Sequence, residues 1–330
     1  MRAVVLDGYG GPEVLVLRDV PDPEPGPEEV VVEVVATALN RADLLQRRGL
    51  YAGPSFAGHE IPGLEYAGRV AAAGERVTGV AVGDEVMGIV TGGGYAERLA
   101  VHERQTMPVP ASVGLGDAAA VPEVFLTAWD ALVVQGGLTS GRTALVHAGA
   151  SGVGTAAIQL CRAIGASVVV TASAGKLDRC RELGADLAVD YRSEDFVAAV
   201  RELTGGRGAD VVLDVVGGDY LPRNVEAVAV RGRIVQVGAM DPRPVAFSPG
   251  SLLPKRAALV GTVLRARPVE EKIAATRRFA DEVLPLFDRG LLRPVVDARW
   301  PLDRVADAHR HMESNANVGK ILLDVAPVAP

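Results

Sequence analysis

The pattern of hydrophobic and polar positions changes twice along the chain. Up to about residue 120, the chain is rich in β-branched residues, as in 30–35, and in turns, as in 83–87, and glycine and proline punctuate these segments. Short strands with frequent turns are typical of a small barrel rather than of a layered α/β sheet. The first 120 residues are therefore predicted to form a small barrel-like β domain, with an extended proline-spaced connector over 21–27.

From about Val121, short apolar runs alternate with helical stretches. The predicted strands are 143–147, 167–171, 187–190, 210–214 and 233–238. The predicted helices between them are 123–135, 154–164, 176–183 and 194–203. This alternation indicates βαβ units whose parallel sheet is covered by helices on both faces, which is the doubly wound α/β class.

Beyond about residue 265 the alternation ends. The pattern there predicts a charged amphipathic helix over 270–288, a strand over 293–299, a helix over 302–312 and a strand over 320–324. A strand-containing tail after a parallel sheet is expected to rejoin the N-terminal β domain. That domain is then discontinuous in sequence.

Length and composition agree with two folded domains. The chain has 330 residues, of which 48% are hydrophobic. At roughly 100–200 residues per domain, two domains are expected, and disorder is not. Apolar stretches are far shorter than the ~20 residues of a bilayer span, and the apolar run at the N-terminus is too short for a signal peptide. A cytoplasmic protein without a membrane partner is expected.

Charge and cysteine content narrow the possible partners. A net charge of −7 gives no general attraction to nucleic acid or anionic lipid, and no nucleic-acid partner is expected. The two cysteines, Cys161 and Cys180, have no cysteine or histidine at a zinc-ligand spacing. Both are expected to be half-buried residues of amphipathic helices.

A glycine-rich segment follows the predicted strand that ends at His147. Gly149 and Gly154 occupy the outer positions of a G-x-G-x-x-G fingerprint, while Ser151 replaces the middle glycine and Gly152 stands beside it. A strand before this segment and a helix after it are the context that a dinucleotide fingerprint requires. The residues predicted to bind the pyrophosphate are Gly149, Ser151, Gly152, Val153 and Gly154.

The end of the second predicted strand indicates which nicotinamide cofactor is used. An NAD-binding site usually has an acidic residue there, about 20 residues after the fingerprint. In this chain residues 170–176 contain no acid, and the first one is Asp178. Lys176 suits a 2′-phosphate, although it could equally be a surface residue at a helix start. NADPH is therefore predicted.

Residues 58–63 superficially match the G-H-E-x-x-G motif of zinc alcohol dehydrogenases. The zinc site would need a cysteine about twenty residues earlier, and residues 38–43 contain none. A better register over 62–68 has Leu64 in place of the ligand histidine. No metal site is predicted, and His59 is expected to be a loop histidine.

Several of these strings together resemble a known family. They are residues 39–43, 63–65, 148–154 and 317–320, together with the longer strings 40–51 and 147–154. The chain resembles the zinc-independent quinone oxidoreductase branch of the medium-chain dehydrogenase/reductase superfamily over essentially its whole length. Within that branch it looks most like the p53-inducible quinone oxidoreductase subgroup.

This resemblance implies a domain plan and a set of cofactor residues. A GroES-like catalytic domain would comprise residues 1–122 and 263–330, a Rossmann NADPH-binding domain residues 123–262, and the active site the cleft between them. A homodimer joined along the edge of the Rossmann sheet is also implied. Thr127 would seat the nicotinamide, and the 2′-phosphate would lie among Ser173, Lys176 and Tyr191. The residues implied to flank the nicotinamide side are Gly238, Leu264 and Asn317.

Without a metal, carbonyl reduction depends on hydrogen-bond donors. Tyr51 and Asn40 are predicted to face the acceptor carbonyl, and Ser151 to place a hydroxyl near the nicotinamide or the acceptor. Each also has a structural alternative: a loop aromatic, a turn residue and a phosphate contact, respectively. The expected function is NADPH-dependent quinone reduction. The alternatives are an NADPH-dependent alkenal or enone double-bond reductase, and a non-catalytic NADPH-binding or RNA-binding protein.

Overall fold

The computed structural model describes residues 1–241 and 243–325, and the chain divides into two compact units. Unit 1 consists of Met1–Glu123 and the segment that starts at Arg265, and unit 2 is Val124–Leu264. The described residues contain no helix that is long and apolar enough to cross a membrane.

Strands and helices are distributed as follows. The strands are β1 (Arg2–Leu6), β2 (Leu15–Asp19), β3 (Glu29–Ala38), β4 (Ser55–Phe56), β5 (His59–Glu60), β6 (Glu65–Ala73), β7 (Glu85–Ile89), β8 (Arg98–His102), β9 (Thr106–Pro108), β10 (Thr143–Val146), β11 (Ser167–Ala172), β12 (Leu187–Asp190), β13 (Ala209–Asp214), β14 (Val228–Gln236), β15 (Ala258–Gly261), β16 (Val296–Pro301) and β17 (Lys320–Asp324). The α-helices are α1 (Arg41–Arg47), α2 (Leu115–Ala118), α3 (Pro122–Trp129), α4 (Gly152–Ile164), α5 (Leu177–Leu183), α6 (Phe196–Leu203), α7 (Tyr220–Ala227), α8 (Val269–Glu282), α9 (Leu284–Asp288) and α10 (Val305–Glu313).

Unit 2 is a parallel six-stranded sheet with the order β12-β11-β10-β13-β14-β15. Its central strands are continuous apolar runs because both faces are covered, and β10 is buried at every position. The strand order reverses between β10 and β13, so the carboxyl ends of these strands form the switch point at which open α/β sheets bind ligands. This confirms the predicted Rossmann sheet.

Unit 1 contains a seven-stranded sheet in which β3 is central. It pairs antiparallel with β6, β8 and β17. Alternate residues of β3, among them Val30, Val32 and Val34, enter a core that also contains Tyr66 and Leu323. The C-terminal strands β16 and β17 therefore complete the N-terminal sheet, as the pattern predicted. The α/β class with a GroES-like β domain and a Rossmann domain is confirmed.

Three local predictions were wrong for physical reasons. The predicted helix 270–288 is two helices, because Pro285 lacks an N–H and lies in the first turn of α9. Strand β15 was missed because it is a short edge strand with an exposed surface. Cys161 and Cys180 are fully buried rather than half-buried, and burial raises their pKa to about 12 and about 11.

Candidate functional site

The turn between β10 and α4 has the geometry of a dinucleotide fingerprint. Ala148 adopts a left-handed backbone with φ +55°, which is uncommon for a residue with a side chain and occurs preferentially at functional turns. A Cβ on Gly149 would lie 2.6 Å from the Cβ of Val170, and a Cβ on Gly154 would lie 2.3 Å from the carbonyl oxygen of Ala148. Strand and helix thus approach too closely here for a side chain.

Ser151 is the N-cap of α4. Its Oγ accepts a hydrogen bond from the backbone N–H of Gly154 at 3.0 Å. The first helical residues, Gly152 and Val153, provide N–H groups that no carbonyl inside the helix can satisfy, and the helix dipole favours an anion there. The close-packed glycines and this helix start fit a pyrophosphate, and the Ser151 hydroxyl hydrogen can still point to a ligand.

The residues predicted to bind the 2′-phosphate follow two adjacent strands. Ser173 comes directly after β11 and Tyr191 directly after β12, and the Tyr191 N–H donates to the carbonyl of Ala172 at 3.2 Å. Lys176 is half-buried in the short 3-10 turn that follows Ser173. The guanidinium of the neighbouring Arg192 lies 5.6 Å from the centre of the exposed Tyr191 ring.

Four further predicted cofactor residues have defined positions. Thr127 is half-buried in α3, and Gly238 is an exposed residue two positions after β14. Leu264 is buried at the end of unit 2. In unit 1, Asn317 is buried and its Nδ2 donates to the carbonyl of Gly319 at 3.0 Å. Their contacts with a nicotinamide remain predictions.

A buried polar network stabilises the carboxyl ends of three strands in unit 2. His147 contacts Thr171 Oγ1 through Nδ1 at 3.0 Å and Asn224 Oδ1 through Nε2 at 2.7 Å. Asn224 Nδ2 donates to Asp214 Oδ2 at 2.8 Å. Because Asn224 Oδ1 can only accept, Nε2 of His147 carries the proton. Burial lowers the pKa of His147, against the opposing charge of Asp214.

A second buried cluster lies in unit 1 and includes Asn40. The fully buried Glu65 Oε1 accepts from Asn40 Nδ2 at 2.8 Å and from Lys320 Nζ at 2.7 Å, and Lys320 also donates to Asn40 Oδ1 at 2.8 Å. The second amide hydrogen of Asn40 faces the carbonyl of Ala38 at 3.4 Å. Both hydrogens of this amide therefore have acceptors within the protein, and the contact of Asn40 with an acceptor carbonyl stays a prediction.

Glu123 lies at the edge of this cluster. Its backbone N–H donates to the other carboxylate oxygen of Glu65, Oε2, at 2.8 Å. Burial and the negative charge of Glu65 raise the pKa of the Glu123 carboxyl to about 8, with Lys320 acting in the opposite direction. A protonated carboxyl group at neutral pH is therefore expected beside the cluster.

The cluster continues from Asn40 through Asp43 to His309. Asp43 Oδ2 accepts from the Asn40 N–H at 2.7 Å and from the Tyr95 hydroxyl at 2.9 Å, and the Tyr95 oxygen lies 3.4 Å from His309 Nε2. Asp43, Tyr95 and His309 are fully buried. Burial raises the pKa of Asp43 to about 6 and lowers that of His309 to about 3.

His309 should make folding depend on pH. Its pKa is about 3 in the folded chain against an ordinary 6.5, so the unfolded chain binds the extra proton and stability is lost as the pH falls below about 6.5. Replacing His309 by glutamine should remove about 2 kcal/mol of the loss between pH 7 and pH 5. Urea unfolding of both proteins at each pH measures this. The raised pKa of Asp43 has the opposite effect on the pH dependence of stability, but it is present in both proteins and cancels in their comparison. An unchanged pH dependence in the variant would therefore contradict the assignment to His309.

Tyr51 lies in the segment after α1. It is half-buried, and the guanidinium of Arg265 lies 4.4 Å from the centre of its ring. Burial raises the pKa of the Tyr51 phenol, and the positive charge of Arg265 opposes that rise. The sequence pattern gave no signal for Arg265, because a single arginine after a strand is ordinarily a surface residue.

His59 lies in the two-residue strand β5, which pairs with β4, rather than in a loop. Within residues 1–241 and 243–325 there is no group of three or more histidine, cysteine or acidic side chains arranged to hold a metal ion.

Comparison with known proteins agrees with this architecture. Residues 26–111 match the alcohol dehydrogenase GroES-like domain family, and residues 152–281 match the zinc-binding dehydrogenase family. The chain is 33% identical to the synaptic vesicle membrane protein VAT-1 homolog of Rattus norvegicus, over 99% of this chain and 85% of that protein. It is 31% identical to the quinone oxidoreductase of Lama guanicoe, over 98% of this chain and 97% of that protein.

Two solved structures extend the comparison. The Escherichia coli quinone oxidoreductase complexed with NADPH superposes with a TM-score of 0.88 at 29% identity, over 98% of this chain and all of that one. An NAD-dependent alcohol dehydrogenase superposes with a TM-score of 0.88 at 35% identity, over 99% of this chain and all of that one. The fold and the nucleotide turn define an NAD(P)-dependent oxidoreductase. The chain belongs to the medium-chain dehydrogenase/reductase superfamily, which confirms the resemblance found in the sequence, and quinone oxidoreductases are among its relatives.

Proposed function

We propose that the protein is an NADPH:quinone oxidoreductase that works without zinc, with unit 2 binding NADPH and unit 1 supplying the groups that contact the acceptor. The observation that carries this proposal is the Tyr51 phenol stacked on the Arg265 guanidinium in a chain that also has a dinucleotide turn. The two quinone oxidoreductases among the compared proteins support the choice of acceptor.

The proposed reaction assigns a task to each predicted residue. When bound, NADPH supplies a hydride. Tyr51 donates a hydrogen bond to the quinone carbonyl oxygen, which becomes the oxyanion of a hydroquinone monoanion. That charge is spread over a conjugated ring, so a single strong donor stabilises it until one proton from water converts the monoanion into the hydroquinone. Asn40 orients the buried cluster, and Ser151 holds the start of α4 while its hydroxyl hydrogen faces a phosphate or the nicotinamide.

An acceptor panel tests this function. The consumption of NADPH and of NADH is followed with 1,2-quinones, 1,4-quinones and a 2-alkenal, with and without a chelator. The expected result is quinone turnover that prefers NADPH and ignores the chelator, and a kcat that is about 100-fold lower in Tyr51→Phe. Faster turnover of the alkenal would make the protein a double-bond reductase. NADPH binding without any turnover would indicate a non-catalytic role, and loss of activity with the chelator would contradict a zinc-independent reaction.

NADPH preference is proposed to depend on Lys176. A charged hydrogen bond to a 2′-phosphate contributes about 1.5–3 kcal/mol, so Lys176→Ala should weaken NADPH binding by about 10-fold or more and leave NADH binding unchanged. Calorimetric titration with each nucleotide measures both constants. Arg181→Ala is the matched control, since Arg181 lies on the following helix and pairs with Asp178. Equal weakening for both nucleotides would contradict a 2′-phosphate contact.

A homodimer is proposed along the edge of the sheet in unit 2. Strand β15 ends the sheet, and its Leu259 is 40% exposed while the nearby Leu253 is 76% exposed. Apolar side chains along an open strand edge favour pairing with a second copy. Light scattering should then give twice the chain mass of 34.3 kDa, and the single-chain mass would contradict the proposal.

A further inference from the structure

The Arg265 guanidinium is fixed from two sides. Its Nε donates to the carbonyl oxygen of Thr91 at 2.8 Å, and its Nη2 faces Gln46 Oε1 at 3.3 Å. The third nitrogen, Nη1, is buried and has no hydrogen-bond partner among the described residues. The central carbon of the guanidinium, Cζ, lies over the Tyr51 ring, 4.4 Å from its centre. The ring is therefore a principal neighbour of this charge.

The partner of Arg265 is itself held in place. Gln46 is fully buried in α1, and its Nε2 donates to Glu60 Oε1 at 2.9 Å. The same Glu60 oxygen accepts from the Gly53 N–H at 3.0 Å, two residues after Tyr51. One chain of hydrogen bonds thus connects the guanidinium beneath the Tyr51 ring to the backbone that carries Tyr51. Gln46 and Glu60 thus hold both sides of the contact between Arg265 and Tyr51.

We propose that Arg265 is a positioning residue for Tyr51, which fixes the orientation of the phenol ring and strengthens its hydroxyl as a hydrogen-bond donor. The inference rests on the donor role proposed for Tyr51. A cation over an aromatic face is attracted by the ring quadrupole, and here the attraction is strengthened because the cation is partly desolvated. The same charge stabilises negative charge on the phenol oxygen, as a better donor requires.

Electrostatics around the hydroxyl agree with this arrangement. The groups that act on Tyr51 are Arg265, which lowers the pKa of the phenol, and Glu123, which raises it together with burial. Of these two groups, only Arg265 lowers the pKa of the Tyr51 phenol. Removing its charge leaves only influences that make the phenol a weaker donor.

Titration of the phenol itself tests the inference independently of any quinone activity. The protein is labelled with 3-fluorotyrosine, which lowers phenol pKa values into a range where the protein remains folded, and the ¹⁹F resonance of Tyr51 is assigned as the one missing in Tyr51→Phe. In Arg265→Met the titration midpoint of this resonance should be about one pH unit higher, because the cation is removed. Its ¹⁹F chemical shift should also change, because the group over the ring is removed. Arg265→Lys should lie between the two, since it keeps the charge without the planar group.

Two controls keep the result interpretable. Arg69→Met removes an exposed arginine that pairs with Glu85, and it should leave the Tyr51 titration unchanged. The resonances of buried Tyr66 and Tyr95 report folding in every variant. If Arg265→Met fails to fold, Arg265→Lys supplies the comparison. An unmoved Tyr51 titration in folded variants would overturn the inference. A shifted titration in a protein that reduces no quinone would refute the proposed function and leave the role of Arg265 intact.

Discussion

Gly154→Ala should weaken NADPH binding by about 100-fold or more, which corresponds to about 2.7 kcal/mol. The added Cβ would lie 2.3 Å from the carbonyl oxygen of Ala148 and 2.5 Å from that of Gly149. Both atoms belong to the backbone of the fingerprint turn and cannot rotate away as a side chain can. The turn must therefore move away from the start of α4, where the pyrophosphate is proposed to bind.

Calorimetry with NADPH, together with the rise in melting temperature that NADPH causes, measures this effect. The variant should lose most of that rise, because the stabilisation by a ligand follows its affinity. Gly250→Ala is the matched control in the same unit, since its nearest neighbour would be a serine side-chain oxygen at 3.5 Å. Wild-type affinity in Gly154→Ala would show that the turn does not contact the nucleotide.

The sequence predicted unit 2 well because its strands carry their own signal. A strand such as β11, buried on both faces, is a continuous apolar run, and residues 167–171 were assigned to it. The glycines Gly149 and Gly154 could also be predicted, because their role in the turn between β10 and α4 depends on residues close to them in the sequence. By contrast, β15 has only four residues, most of them exposed, and so short an apolar run does not distinguish a strand from a loop.

The buried cluster of unit 1 could not be predicted for the opposite reason. Glu65 and Lys320 are separated by 255 positions, and each stands at the start of a strand, where a charged residue is ordinarily solvated. Only the pairing of β3 with both β6 and β17 brings them together. Asn40 was selected from its motif, but its partners were invisible in the sequence. The contact of Arg265 with Tyr51 likewise joins two residues that are far apart in the sequence.

The burial of the Glu65–Lys320 pair predicts a large effect on the stability of the fold. Glu65 is fully buried and Lys320 is 3% exposed, so neither charge is solvated and each depends on the other. Lys320→Met should destabilise the fold by about 3–5 kcal/mol, because it leaves the Glu65 carboxylate buried and uncompensated. The substitution also removes the hydrogen bonds from Lys320 Nζ to the Leu39 carbonyl and to Asn40 Oδ1. Together with Glu65 Oε1, three acceptors then lose their donor.

A second substitution separates the charge effect from lost packing. Adding Glu65→Gln to Lys320→Met replaces the orphaned carboxylate by a neutral amide that can still accept from Asn40, so the double variant should be more stable than Lys320→Met alone. Arg69→Met, which removes one member of an exposed pair, should cost less than about 1 kcal/mol in the same urea unfolding experiment. If the double variant is no more stable than the single one, the cost of Lys320→Met comes from lost packing, and the buried charge of Glu65 is not what Lys320 compensates.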